Sequence, residues 1–245
     1  SYGGDKAIFG FGTTGSRTGV TNLVNNSGVV ASDTSAVGTA KADLSATGYG
    51  VGLAIFAFGN DGSMSNTRNL VNSSGVVASD ASGAGTATQR KGAARYGTGT
   101  AIIAFGENGG KTNSKNLVSN TGVIASDATG GGTALTSHMA AQYGTGTAIF
   151  AFGQNAAGNM VGTSNLVNSS GAIASDVSAV GTARNFIAAT NYGGDKAIFA
   201  YGTPNNSSNL STSNLVNSSG VVGSDVSGVG TARWALSAAG YSFSA

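Results

Sequence analysis

The sequence predicts an all-β fold, a single five-bladed β-propeller with four antiparallel strands per blade, on three observations. One module of about 47 residues is written five times in a chain of 245 residues. Each copy reads as four short strands separated by turns of Gly, Asn and Ser. The first and last copies are as regular as the middle ones and share YGGDKAIF, whereas an open solenoid needs atypical polar modules at its ends.

The modules open on YGGDKAIFGFG at Tyr2, YGVGLAIFAFG at Tyr49, YGTGTAIIAFG at Tyr96, YGTGTAIFAFG at Tyr143 and YGGDKAIFAYG at Tyr192. Each continues through Asn-Leu-Val (Asn22, Asn69, Asn116, Asn165, Asn214), Ser-Asp (Asp33, Asp80, Asp127, Asp176, Asp225) and Gly-Thr-Ala (Gly38, Gly85, Gly132, Gly181, Gly230). Blades therefore fall near 1–48, 49–95, 96–142, 143–191 and 192–245, within one domain. Modules that cannot each bury a face have to stack. Blade repeats of about 40 to 50 residues suit a propeller.

The first strand of each module, AIFAFG and its variants, is apolar at nearly every position, which predicts a strand covered on both faces. The second and third form a hairpin, as in RNLV-NSSG-VVASD, with the turn chemistry supplied by Asn, Ser and Gly. The fourth follows Gly-Thr-Ala and varies most: KADLSATG, TQRKGAAR, LTSHMAAQ, RNFIAATN, RWALSAAG. Its polarity predicts an outermost strand. The tail Tyr241-Ser-Phe-Ser begins a sixth copy, which predicts a seam where the end of the chain overlaps its beginning.

Composition excludes several functions. Only 9% of residues are charged, the net charge is +2 and no basic run occurs, so no nucleic-acid partner is expected. Cysteine is absent, which removes disulfides and thiolate chemistry. Gly is abundant at 41 residues with a single proline, Pro204, a pattern neither collagenous nor Pro-rich. No apolar run approaches the roughly 20 residues of a membrane helix, so a soluble chain without membrane insertion is expected. The first residues already belong to the first repeat, so no signal peptide is expected within the sequence.

No catalytic constellation is expected, and neither cofactor nor metal. Asp33, Asp80, Asp127, Asp176 and Asp225 sit in S-D-x-[ST]-x-x-G-T-A, where a carboxylate is expected to satisfy the backbone N–H groups of its own turn. A Ca²⁺ site wants about six to eight oxygen ligands, and each module offers one Asp here. His138, the single histidine, is expected at a solvated position of an outer strand. The N-x-[ST] sequences at Asn25, Asn72, Asn168 and Asn217 coincide with the hairpin turns, where Asn and Ser are favoured for backbone reasons.

The copies differ most between the first and second strands: Thr13 to Val20, Asn60 to Thr67, Glu107 to Ser114, Gln154 to Ser164 and Thr203 to Ser213. In a propeller these loops share one face, opposite the near-uniform NSSG turns. Candidate binding residues are Arg17, Asn60, Asp61, Glu107, Asn108, Gln154, Asn155, Asn205 and Asn206. Alternatively the uniform edges between blades form repeated weak pockets. Few charges with many amides and hydroxyls suit a neutral polyhydroxyl ligand. The expected function is a non-catalytic binding module for a glycan or surface receptor, the alternative a structural propeller assembled with other copies or in a virion.

Five blades of this period resemble the tachylectin-type lectin propellers in blade count and period only; the Trp-rich motifs of those lectins are missing, Trp234 being the single Trp. The wording AIFAFG…NLVNSSGVVASD…GVGTAR resembles, across the whole chain, kelch-like repeats of tail or receptor-binding proteins of environmental phages. Its motif consists of turn and core residues. Either resemblance implies a recognition module, extracellular or on a virion surface, rather than an enzyme.

Overall fold

The computed structural model describes residues 1–35, 37–178 and 180–240; the tail expected to open a sixth copy, Tyr241 onward, lies outside them. The chain is all-β, with antiparallel pairing throughout and no helix among the described residues. Consequently no helix is long and apolar enough to cross a membrane.

The first sheet pairs β1 (Ala7–Thr13) with β2 (Arg17–Val24). The second runs β3 (Ser45–Tyr49), β4 (Leu53–Ala57), β5 (Thr67–Val71), β6 (Ala81–Ser82) in spatial order. The third repeats it with β7 (Gly92–Tyr96), β8 (Thr100–Ala104), β9 (Ser114–Val118) and β10 (Ala128–Thr129). A short β11 (Leu135–Thr136) precedes the fourth sheet, β12 (Met139–Tyr143), β13 (Thr147–Ala151) and, after the two-residue β14 (Gln154–Asn155) that pairs with β11, β15 (Ser164–Val167). The fifth holds β16 (Ala188–Tyr192), β17 (Lys196–Ala200) and β18 (Ser213–Val216).

Register repeats with the sequence: Ser45↔Ala57, Gly92↔Ala104, Met139↔Ala151 and Ala188↔Ala200 occupy one place in four sheets. The Tyr-Gly that opens each sequence module thus lies in a hairpin turn, and from the second sheet onward each sheet starts a few residues earlier, on the segment expected to be outermost. That expectation is overturned. Strand β3 packs on β7, β7 on β12 and β12 on β16, so these segments converge as the innermost strands. The physical reason is their small residues: GAARY and MAAQY carry Ala and Gly where strands crowd, and their polar side chains face a shared cavity.

The apolar strands β4, β8 and β13 are buried at their last four positions, as an apolar run predicts. They feed clusters that always span two consecutive sheets; Ile102, Phe105, Leu135, Phe150 and Val167 form one of them. Fully burying one Phe or Ile of this kind contributes about 1.5–3 kcal/mol. Each apolar strand ends on an aromatic in left-handed conformation followed by Gly, as at Phe105 (φ 61°) and Gly106 (φ 99°). The Gly106 N–H then reaches Leu135 O at 2.8 Å, ahead of the next innermost strand. A Cβ at Gly106 would meet Gln89 O at 2.6 Å, which requires glycine here.

Candidate functional site

Neighbouring sheets are clamped by one repeated polar unit. Asn116, fully buried on β9, donates from Nδ2 to Ala125 O (3.1 Å) and to Asp127 Oδ1 (2.7 Å). Asp127 Oδ2 accepts from Thr86 N (2.9 Å) and Thr86 Oγ1 (2.5 Å), 41 residues earlier in the preceding module. Thr39 bonds to Asp80, Thr133 to Asp176 and Thr182 to Asp225 in the same way. The aspartates therefore bind the Gly-Thr-Ala segment of their neighbour, not their own turn as expected. Partial burial pushes the Asp127 carboxyl up, but the bonds from Thr86 and Asn116 and the nearby Lys91 outweigh it and hold it below the ordinary range.

Buried cations complete the clamp. Lys91 Nζ donates to Asn116 Oδ1 at 3.0 Å and lies 4.8 Å from the Phe58 ring centroid; burial brings its pKa down to about 8. Arg184 Nη2 donates to Asn214 Oδ1 at 2.5 Å, its guanidinium 4.1 Å from the Phe152 centroid. Lys41 donates to Thr67 Oγ1 at 2.8 Å. Between the third and fourth sheets no cation serves the clamp. Leu135 stands at the repeat position of Arg184 and His138 at that of Lys91, and Asn165 Oδ1 has no partner among the described residues.

His138 is not solvated as expected; it is 2% exposed, with ring centroids of Phe105 and Phe150 at 5.0 and 5.6 Å. Its Nε2 accepts from Gly92 N at 3.2 Å. Burial, reinforced by Lys91, pushes its pKa down to about 3. A base depressed in the folded state costs stability as pH falls below its unfolded value of about 6.5, because the unfolded chain takes up a proton that the folded one refuses. Stability is expected to drop by about 2 kcal/mol between pH 7 and 5. In urea titrations His138→Phe should abolish that drop; an equal loss in the variant would refute this origin.

The candidate loop residues gather along one end of the sheets. Arg17 Nη2 donates to Asn60 Oδ1 (2.5 Å), Asn60 Nδ2 to Gln89 Oε1 (2.8 Å), and Gln89 Nε2 to Glu107 Oε1 (2.7 Å). Glu107 also accepts from Arg90 Nη1 (3.1 Å) and Lys111 Nζ (3.2 Å). The first three loops are thereby joined in one hydrogen-bonded line. Asp61 and the exposed Asn108 sit in short turns of this rim. Gln154 and Asn155 brace their own loop through Gly158 O and Asn159 N, and Asn205 accepts from Ser207 N and Ser208 N. Asn206 Oδ1 accepts from Asn185 Nδ2 at 3.4 Å. Gln89 and Arg90, which sequence reasoning missed, lie just ahead of an innermost strand; the variability of that segment was their signal, read there as outer polarity.

A cavity of about 400 Å³ opens where the innermost strands converge, lined by segments of all five repeats. Its wall alternates small residues with one variable position, the residue before each repeat tyrosine: Gly48, Arg95, Gln142, Asn191 and Gly240. Arg95 Nη2 donates to Gly50 O at 2.8 Å and lies across Gly48, where a Cβ would stand 3.3 Å from Arg95 Cδ. The side-chain amides of Gln142 and Asn191 have no hydrogen-bond partner among the described residues. At the opposite end of these strands Asp43, Arg90, Ser137, Phe186 and Ala235 all adopt positive φ. Arg90 N donates to Asp43 O and Phe186 N to Ser137 O, narrowing that end.

Among the described residues, no three His, Cys, Asp or Glu side chains come together to hold a metal. No family model matches the chain, and no curated protein matches it.

Proposed function

We propose that the chain is a five-bladed β-propeller acting as a non-catalytic recognition module, extracellular or on a virion surface, for a glycan or surface receptor. The observation carrying this reading is the hydrogen-bonded line of diversified loops from Arg17 through Asn60 and Gln89 to Glu107, set on sheets that otherwise repeat. A rigid scaffold with one varied, amide-rich end is the usual arrangement of a binding surface.

Support for a ring comes from what is left over. Four consecutive interfaces share one contact code, and the partners for a fifth are present but apart. Thr231 stands at the repeat position of the clamp threonines and Asp33 at that of the aspartates. Phe9 is 51% exposed where its equivalent Phe56 is 4%, and Tyr192 is 37% exposed where Tyr143 is 7%. Joining these faces would bury both.

A glycan array tests the function. Clustered hits are expected, each site binding at roughly millimolar to micromolar affinity, with gains of about 10² to 10⁴ on a displayed ligand if several blades engage. Replacing Gln154 to Ser164 by the shorter loop of the second module should abolish those hits. Retained binding would move the site to the uniform edges between sheets. The second reading is a structural disc in a virion or surface assembly, and no hit in a broad screen of glycans and receptors would leave that reading standing.

A further inference from the structure

We infer that the cavity between the innermost strands is a second binding site, distinct from the loop rim, and that it takes a small acidic sugar, a uronic acid held by its carboxylate on Arg95. The inference stands on β3, β7, β12 and β16, which already pack together, and does not depend on closure of a ring.

The wall is built to project a few polar groups into an open space. Ala93, Ala94, Ala140, Ala141 and Ala189 keep the strands close and leave about 400 Å³, within the usual range for a small-ligand site. Within this variable segment, the position before the tyrosine carries a guanidinium, two carboxamides and two glycines, while the tyrosine itself is kept in every copy. The change from guanidinium to carboxamide to glycine exceeds the small-residue changes at the positions just before it.

The chemistry of these groups selects the ligand. Only Nη2 of Arg95 is engaged, by Gly50 O, and Gly48 leaves the guanidinium lying along the wall with donors to spare. A guanidinium with free donors meets a carboxylate through paired charge-assisted bonds. Lys6 adds a second positive charge to the lining; the lining carboxylate, Asp5, accepts from Asn26 Nδ2 at 3.1 Å. The side-chain amides of Gln142 and Asn191, unpartnered among the described residues, offer donors and acceptors for sugar hydroxyls together with the hydroxyls of Thr47 and Thr190. Among the described residues no aromatic ring lines the space, so affinity rests on hydrogen bonds and charge, and none of them forms a pair of acids or an activated nucleophile there to turn a sugar over.

Calorimetric titration of the whole chain with D-glucuronate, D-glucose and acetate tests the inference. Glucuronate should bind at least about tenfold more tightly than either, since glucose lacks the carboxylate and acetate the hydroxyls. Arg95→Gln should weaken glucuronate about 10- to 100-fold, Arg95→Lys should recover only part of this, and the side-chain amide resonances of Gln142 and Asn191 should shift on binding. Glucose or acetate binding as tightly as glucuronate, or no glucuronate binding, would overturn the assignment. Should Arg95→Gln fail to fold, Gln142→Ala and Asn191→Ala carry the test, and unchanged affinity in both overturns it. The loop-swapped protein must still bind glucuronate; loss there would place the sugar on the rim and refute a second site.

Discussion

Asn116→Leu is expected to destabilise the protein by about 3–5 kcal/mol, the cost of leaving a buried charge without its partner. The side chain has no exposure, and its two ends hold different neighbours: Nδ2 serves Asp127 and Ala125 O, while Oδ1 receives Lys91. Leucine fits the volume but supplies neither group, so an ammonium that is itself buried loses its closest acceptor. The double variant Asn116→Leu with Lys91→Met should recover much of the loss, because an apolar pair of similar size removes the charge together with its need for a partner. Asn165→Leu provides the contrast. The Oδ1 of Asn165 has no partner, and Leu135 and His138 replace the cations, so only the bonds to Asp176 and Ala174 O are lost, at about 1–3 kcal/mol. Equal urea midpoints for Asn116→Leu and Asn165→Leu would rule out the buried cation as the source of the difference.

The contrast also shows where the sequence was legible. Period and burial of the AIFAF segments could be read because they depend on local patterning, and the NSSG turns because Asn satisfies its own backbone; among the described residues, four strands per module appear only in the second and third sheets. Asn72 Oδ1 does accept from Ser74 N and Val76 N, at 2.9 and 3.0 Å. Four of the aspartates resembled such local devices but bond to a threonine 41 or 43 residues away, a distance over which local turn chemistry carries no information. The innermost strand was misread for a related reason. Polarity signals water, and the water-facing side of GAARY and MAAQY is a cavity inside the molecule, so Arg95, Gln142 and Asn191 were passed over as surface residues. His138 shows the converse: a lone polar residue in a variable segment looked solvated, yet the repeat places it where Lys91 is buried one module earlier.

Removing Ser237 to the end of the chain is expected to cost about 3–5 kcal/mol if the proposed ring closes, and almost nothing if the five modules form an open array. The repeat register states what closure requires. Ser45↔Ala57, Gly92↔Ala104, Met139↔Ala151 and Ala188↔Ala200 set Ser237 opposite Gly10, so that Ser237–Gly240 becomes the missing innermost strand beside β1. Trp234 would then face Thr13 as Asn185 faces Thr203, and Thr231 would reach Asp33. The apolar surface at stake is large: Phe9, Tyr192, Leu215 and Trp234 are each between 37% and 51% exposed. Covering half of four such side chains contributes roughly 3–5 kcal/mol at the usual area coefficient. Two single-site readouts separate closure from general damage by truncation. Asp33→Ala should cost about 1–3 kcal/mol, like Asp80→Ala, if Thr231 has become its partner, and well under about 1 kcal/mol if it loses only the exposed bond from Asn22. Cysteines placed at Thr13 and Trp234, in a chain with none of its own, should oxidise to an intramolecular disulfide only if their Cα atoms come within about 7 Å. A silent Asp33→Ala together with free thiols in the double-cysteine protein would show the ring to be open and the exposed faces of the first and fifth sheets to be the true ends of the array.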